Sequence, residues 1–144
     1  GNYYLVNATS GNGISKYHLE AGIAYWHTVP AGPNKWQYIL QLYNQLILIE
    51  YSPVTALNRA FAFSRVYGRR QAIAETENLK MTASNYYHGL LGYLYADTDV
   101  AKAIYHYRQA MQLTKSKTEK ITLAKEIERL KDGADSINKN GDNI

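Results

Sequence analysis

The 144-residue sequence contains no cysteine, which excludes disulfides and thiolate metal sites. It has no apolar run near the roughly 18 residues of a membrane span and no secretory h-region. These absences predict a soluble, cytoplasmic protein, in which Asn7-Ala8-Thr9 matches a glycosylation sequon only by chance. Also missing are Gly-x-Ser-x-Gly, a phosphate loop and a dinucleotide glycine fingerprint. Glu20 and Glu50 fall on different expected helices and nothing pairs them as an acid/base dyad. His18, His27, His88 and His106 form no His-Glu-x-x-His and no pair at i, i+4, so no metal site is indicated. The sequence thus predicts neither an enzyme nor a bound cofactor. Its net charge of +4, from 16 Lys and Arg against 12 Asp and Glu, favours solubility without making a strong phosphate-binding field.

What is abundant is tyrosine, 14 residues against 2 Phe, which points to helix faces with an apolar body and a hydroxyl near water or a partner. The alternative is Tyr standing in for Phe in half-buried packing. Apolar residues recur at helical spacing through most of the chain. In the first helix Ile14, Tyr17, Ala21, Ala24 and Tyr25 form one stripe and Leu19, Ile23 and Trp26 a second, so this helix is expected to be sandwiched. Pro30-Ala31-Gly32-Pro33 ends it, and Trp36, Ile39, Leu40, Tyr43, Leu46 and Ile47 give the next helix a single stripe. Ser52 then offers an N-cap, Pro53 suits the first helical position, and Gly68 fits a C′ glycine.

A weaker helix from Arg69 carries Ala72, Ile73, Thr76 and Leu79 inward and breaks near Met81-Thr82-Ala83-Ser84. Tyr87, Leu90, Leu91, Leu94 and Tyr95 mark another, Asp97-Thr98-Asp99 the turn after it, and Ala103, Tyr107 and Ala110 its successor. The last helix is expected over 117–131, with Ile121, Ala124, Ile127 and Leu130 inside. Residues 132–144 carry too little apolar content to order and read as a flexible tail. At the other end, Tyr3-Tyr4-Leu5-Val6 before Ser10-Gly11-Asn12-Gly13 reads as the end of a linking helix and a turn over residues 1–13, as in a fragment of a longer polypeptide.

Leu57 and Leu91 lie 34 residues apart, and Val54-x2-Leu57-Asn58-x2-Phe61 aligns with His88-x2-Leu91-Gly92-x2-Tyr95. That framework approximates the first helix of a tetratricopeptide repeat. The expected fold is therefore all-α: about seven helices in stacked, antiparallel tetratricopeptide-like hairpins over 14–131, forming a right-handed solenoid fragment.

Several blocks then occur in order: Tyr17-His18-Leu19-Glu20-Ala21, Trp36-x2-Ile39-x2-Leu42-Tyr43, Ser52-Pro53-Val54-x-Ala56-Leu57-Asn58-Arg59-Ala60, Tyr87-His88-Gly89-Leu90-Leu91, and Ala110-x2-Leu113-Thr114 with Glu119. Together they resemble the C-terminal, tetratricopeptide-like extension of bacterial extracytoplasmic-function sigma factors. The family's two N-terminal, promoter-reading and polymerase-contacting domains have no counterpart in these residues. The resemblance implies a regulatory, protein-interaction module of a sigma factor in transcription initiation. Its partners would be the sigma factor's N-terminal domains, RNA polymerase or a cognate regulator, with no direct DNA contact and no membrane. A stand-alone peptide-binding tetratricopeptide adaptor is the alternative.

The candidate partner-binding residues are His18, Glu20, Asn58, Arg59, Arg65, Tyr87 and His88. Asn58 and Arg59 need partners in a helix otherwise rich in Ala and Phe. Either Arg59 ties adjacent helices together, or Arg59 and Arg65 meet an acidic segment of a partner. His88 takes the large-aromatic position of the repeat, where packing plus a hydrogen bond is expected. His18 reads as a buried, satisfied histidine or as part of a polar surface. Arg65, Arg69 and Arg70 are the densest positive cluster, read as a solvated helix end or as a DNA contact.

Overall fold

The computed structural model describes the backbone of residues 15–142 and the side chains of residues 15–134. The segment expected as a linking helix and turn, residues 1–13, lies outside the described residues. Seven helices and no strands occur among them: α1 Lys16–Thr28, α2 Lys35–Ile49, α3 Pro53–Tyr67, α4 Arg69–Glu77, α5 Asn85–Tyr95, α6 Val100–Leu113 and α7 Lys117–Asp142. The protein is all-α, built from helical hairpins. The chain divides into two compact units, Gly1–Gly68 and Arg69–Ile144.

Short polar side chains start most of the helices. Ser15, Ser52 and Ser84 accept from the amides of His18, Thr55 and Tyr87, Asp99 accepts from Lys102, and Ser116 accepts from Glu119. Each satisfies an amide that has no partner inside its helix. Pro53 takes the first position of α3, and Gly68 ends it at φ 98°, a conformation that favours glycine.

In the first unit, α1 packs on α2 and α2 on α3. One core cluster joins Leu19 and Ile23 of α1 to Leu46 of α2, and another joins Ile39 and Leu40 of α2 to Ala62 of α3. Ala56, Ala60 and Ala62 are all buried, as small residues at a close helix approach should be. The two-sided burial expected for α1 does not occur. Leu19, Gly22 and Ile23 are buried, whereas Tyr17 and Tyr25 are 74% and 58% exposed. Packing against α2 needs only one stripe, and the Leu19 stripe fills that role.

In the second unit, α4 packs on α5, α5 on α6 and α6 on α7. Leu91 and Leu94 are fully buried, with Tyr87, Tyr95, Ala103, Tyr107 and Ala110 around them. Gly92 lets α6 come close: a Cβ placed there would lie 2.5 Å from the buried Tyr107 ring. Ile121, expected inside, is 57% exposed, and Leu123 is buried in its stead beside Ile127 and Leu130. The cause is polar. Glu119 accepts from Thr114 Oγ1 (2.7 Å) and Asn85 Nδ2 (3.1 Å), which turns the Glu119-Leu123-Ile127-Leu130 row inward. Helical backbone also continues through Gly133 to Asp142, into the residues read as a tail.

Candidate interaction face

The hairpin order of the first unit brings residues equidistant from each turn together. Across the α1–α2 turn Trp26 stacks on Tyr38 at 4.5 Å and 12°, with Tyr25 edge-on to Trp26 at 5.6 Å. His27 meets the Trp36 ring edge-on at 5.8 Å. Across the α2–α3 turn Trp36 meets Phe61 at 5.4 Å, and the Arg65 guanidinium lies 5.3 Å from the Trp36 ring centre. These contacts form two groups where α1 ends, α2 begins and α3 ends: Tyr25, Trp26 and Tyr38 in one, and His27, Trp36, Phe61 and Arg65 in the other.

Charge at this end is of one sign. Lys35 Nζ donates to the carbonyls of Val29 (2.9 Å) and His27 (3.4 Å), where the α1 dipole is negative. Arg65 is exposed, and among the described residues of this unit no carboxylate pairs with it. Residues 15–68 contain only two carboxylates, Glu20 and Glu50, against Lys16, Lys35, Arg59 and Arg65. Glu50 is bonded to Lys16 at 3.0 Å, just past the far end of α2, roughly 20 Å away along that helix. That bond holds the Lys16 ammonium above its usual pKa.

The two arginines expected to act together have different surroundings. Arg59 Nε donates to Asn44 Oδ1 of α2 at 2.6 Å, and its guanidinium lies 5.8 Å from the Phe63 ring centre. It ties two helices together. Arg65 follows Asn58 and Phe61 on another row of α3, about 120° around the helix. Asn58 is exposed on that row. His18, half-buried, bonds through Nδ1 to the N-cap Ser15, and Glu20 is exposed.

Tyr87 and His88 lie in the second unit, both buried. His88 Nε2 donates to Thr82 O at 2.8 Å, the packing and hydrogen-bonding role expected of it. Burial raises the Tyr87 hydroxyl pKa, with Glu77 adding to it. The Arg cluster also divides. Arg69 binds Asp97 (3.1 Å) and Tyr93 O (3.3 Å) and lies 3.9 Å over the Tyr93 ring. Among the described residues no group of three or more His, Asp or Glu is placed to hold a metal ion.

Trp36 and Trp26 read in the sequence only as packing residues, and neither they nor Tyr38 and Lys35 are among the candidate partner-binding residues. Their signal lies in the aromatic and basic residues on either side of Pro30-Ala31-Gly32-Pro33, which a hairpin must bring face to face.

No family profile matches the chain, and no solved structure matches it. An uncharacterized protein of Rhizobium meliloti (strain 1021) is 39% identical over 80 residues. The match covers 53% of this chain and 19% of that relative, so the chain spans about a fifth of the curated protein it resembles.

Proposed function

We propose that this chain is a non-catalytic protein-interaction module, the regulatory C-terminal extension of a bacterial sigma factor. The observation that carries the interaction reading is the cationic, aromatic end of the first unit. Exposed Arg65 lies over the Trp36 ring, and Tyr25 and Tyr38 are exposed around Trp26. Large aromatic rings and arginine are the side chains that contribute most to protein interfaces. The sign of the charge favours an acidic partner segment, in the sigma factor's own N-terminal domains, in RNA polymerase or in a cognate regulator.

The sigma assignment rests on the ordered blocks around Tyr17, Ser52 and Tyr87. A relative about five times longer than the matched segment fits a module within a larger polypeptide. Many of the resembling residues do structural work here: Ser52 caps α3, Leu57 and Leu91 are buried, and Glu119 anchors α7. In this reading those residues specify the scaffold, and Trp36, which also belongs to one of the blocks, and Arg65 provide the contact.

The test is polymerase binding and promoter-dependent transcription by the parent sigma factor carrying Trp36→Ala with Arg65→Ala. Partner affinity should fall about 30-fold, roughly 2 kcal/mol, as at an interface hot spot. Regulated transcription should change while the melting curve keeps its shape. Unchanged binding and transcription would defeat the proposal.

A further inference from the structure

The second unit contains a polar cluster that the interaction reading does not use. His88 on α5 and His106 on α6 approach Nδ1 to Nδ1 at 3.0 Å, with their rings stacked at 5.2 Å. A carbonyl only accepts, so the 2.8 Å bond to Thr82 O requires a proton on His88 Nε2. Neutral His88 then presents a bare Nδ1, and the proton between the rings comes from His106. Tyr95 stacks parallel on His106 (5.7 Å, 2°) and donates to Glu77 Oε2 at 3.1 Å. The pair therefore joins α5, α6 and the turn after α4, in which Lys80 adopts φ 53°.

Proton counting sets what this arrangement tolerates. One added proton leaves a single hydrogen between the two Nδ1 atoms, whichever ring is charged, and the Thr82 bond survives. A second places two N–H groups and two positive charges against each other at 3.0 Å, which the geometry cannot hold.

We propose that the His88–His106 pair is a proton-operated latch, which holds the α4–α5 turn against α5 and α6 until a second proton opens it. The surrounding charges fit that role. Glu77 of α4 favours protonation of His106, Lys102 of α6 opposes it, and Tyr87, Tyr95 and Tyr105 enclose the pair with rings. Asp99 acts on Tyr95, and from α7 Glu126 and Arg129 act on Tyr107. Burial first, and His88 next, lower the His106 pKa from its ordinary value. In the pH range between that lowered value and about 6.5 the unfolded chain binds more protons than the folded one. Stability is thus fully present above about pH 6.5 and is lost as pH falls through the folded value.

The test compares unfolding of the whole chain from about pH 8 to about pH 5 with that of His106→Asn. An Asn amide can still donate to His88 Nδ1 but takes up no proton. In the wild type the unfolding constant should rise up to about tenfold per pH unit as this proton is taken up, and the variant should lose that share of the slope. An equal slope in both would overturn the latch. The unmodified chain supplies a second readout that needs no variant. Proton NMR should show the His106 ring taking up its proton below the ordinary histidine range, with the amides of residues 80–84 exchanging faster once it does. Independent titration near the ordinary histidine value, with those amides still protected, would equally overturn it.

Discussion

The two units differ in how many of their polar side chains are turned on one another, although the second also exposes the rings of Tyr86 and Tyr105. In the second, the distinctive side chains are turned on one another: Asn85 and Thr114 on Glu119, Tyr95 on Glu77, His88 on His106, Arg69 on Asp97. In the first, the apolar clusters are modest and much of the aromatic surface is left outward. Tyr17, Tyr25, Tyr38, Tyr51 and Tyr67 are exposed there, with Leu48, Ile49 and Val54. A helical scaffold that neutralises its polar groups internally has little left for a partner, whereas one that leaves rings and a guanidinium outside is equipped to bind. Under the proposed function the contrast sets a holding unit against a binding one.

The largest expected effect tests the holding side. Leu91→Ala, at a fully buried position, should cost about 3 kcal/mol in urea unfolding and leave the Trp36–Arg65 face intact. A cost below about 1 kcal/mol would mean that the α5–α6 core collapses around the cavity, and the contrast would weaken.

Next comes a matched pair within α5. Gly92→Ala gains about 1 kcal/mol of helix propensity but forces a methyl group into the buried Tyr107 ring, at a cost of about 1–3 kcal/mol, so a net loss near 1 kcal/mol is expected. Nothing lies within 4 Å of a Cβ at Gly89, so Gly89→Ala should raise the melting temperature. Calorimetry on the two variants should move in opposite directions. Equal shifts would show that the ring swings aside freely.

The smallest effect probes the first unit. Ser52→Ala removes a 3.1 Å cap to the Thr55 amide and should cost about 1 kcal/mol in thermal unfolding. If the first unit is the lightly held one, that loss should appear as local amide exchange in α3 before global unfolding. Exchange confined to global unfolding would show that it is held as firmly as the second.

Helix number and starts were legible in the sequence because caps are local. Ser52-Pro53, Gly68 and Asp99 act within a turn of where they stand. Rotation about the helix axis was less legible, since it depends on a partner elsewhere in the chain. Two apolar stripes competed in α1, and only the position of α2 decides between them. In α7 the phase follows from Glu119 reaching Asn85, 34 residues earlier. α7 runs past its expected end for a related reason: weak apolar content beyond Lys131 argues against packing, not against helical hydrogen bonds. Of the candidate residues, His88 could be read from its repeat position, while its pairing with His106 follows only once the α5–α6 hairpin places the two about nine residues either side of their turn.

Lys35 gives α1 an unusual ending. Residues 29–34 supply no glycine in a left-handed cap, and the carbonyls of His27 and Val29 are taken up by the ammonium of a residue that opens the next helix. One helix therefore borrows its terminator from its successor. A peptide comprising residues 15–31 alone would fray at that end, and α1 completes its last turn only as the chain doubles back, so the hairpin is the smallest stretch of this unit in which the first helix can be whole.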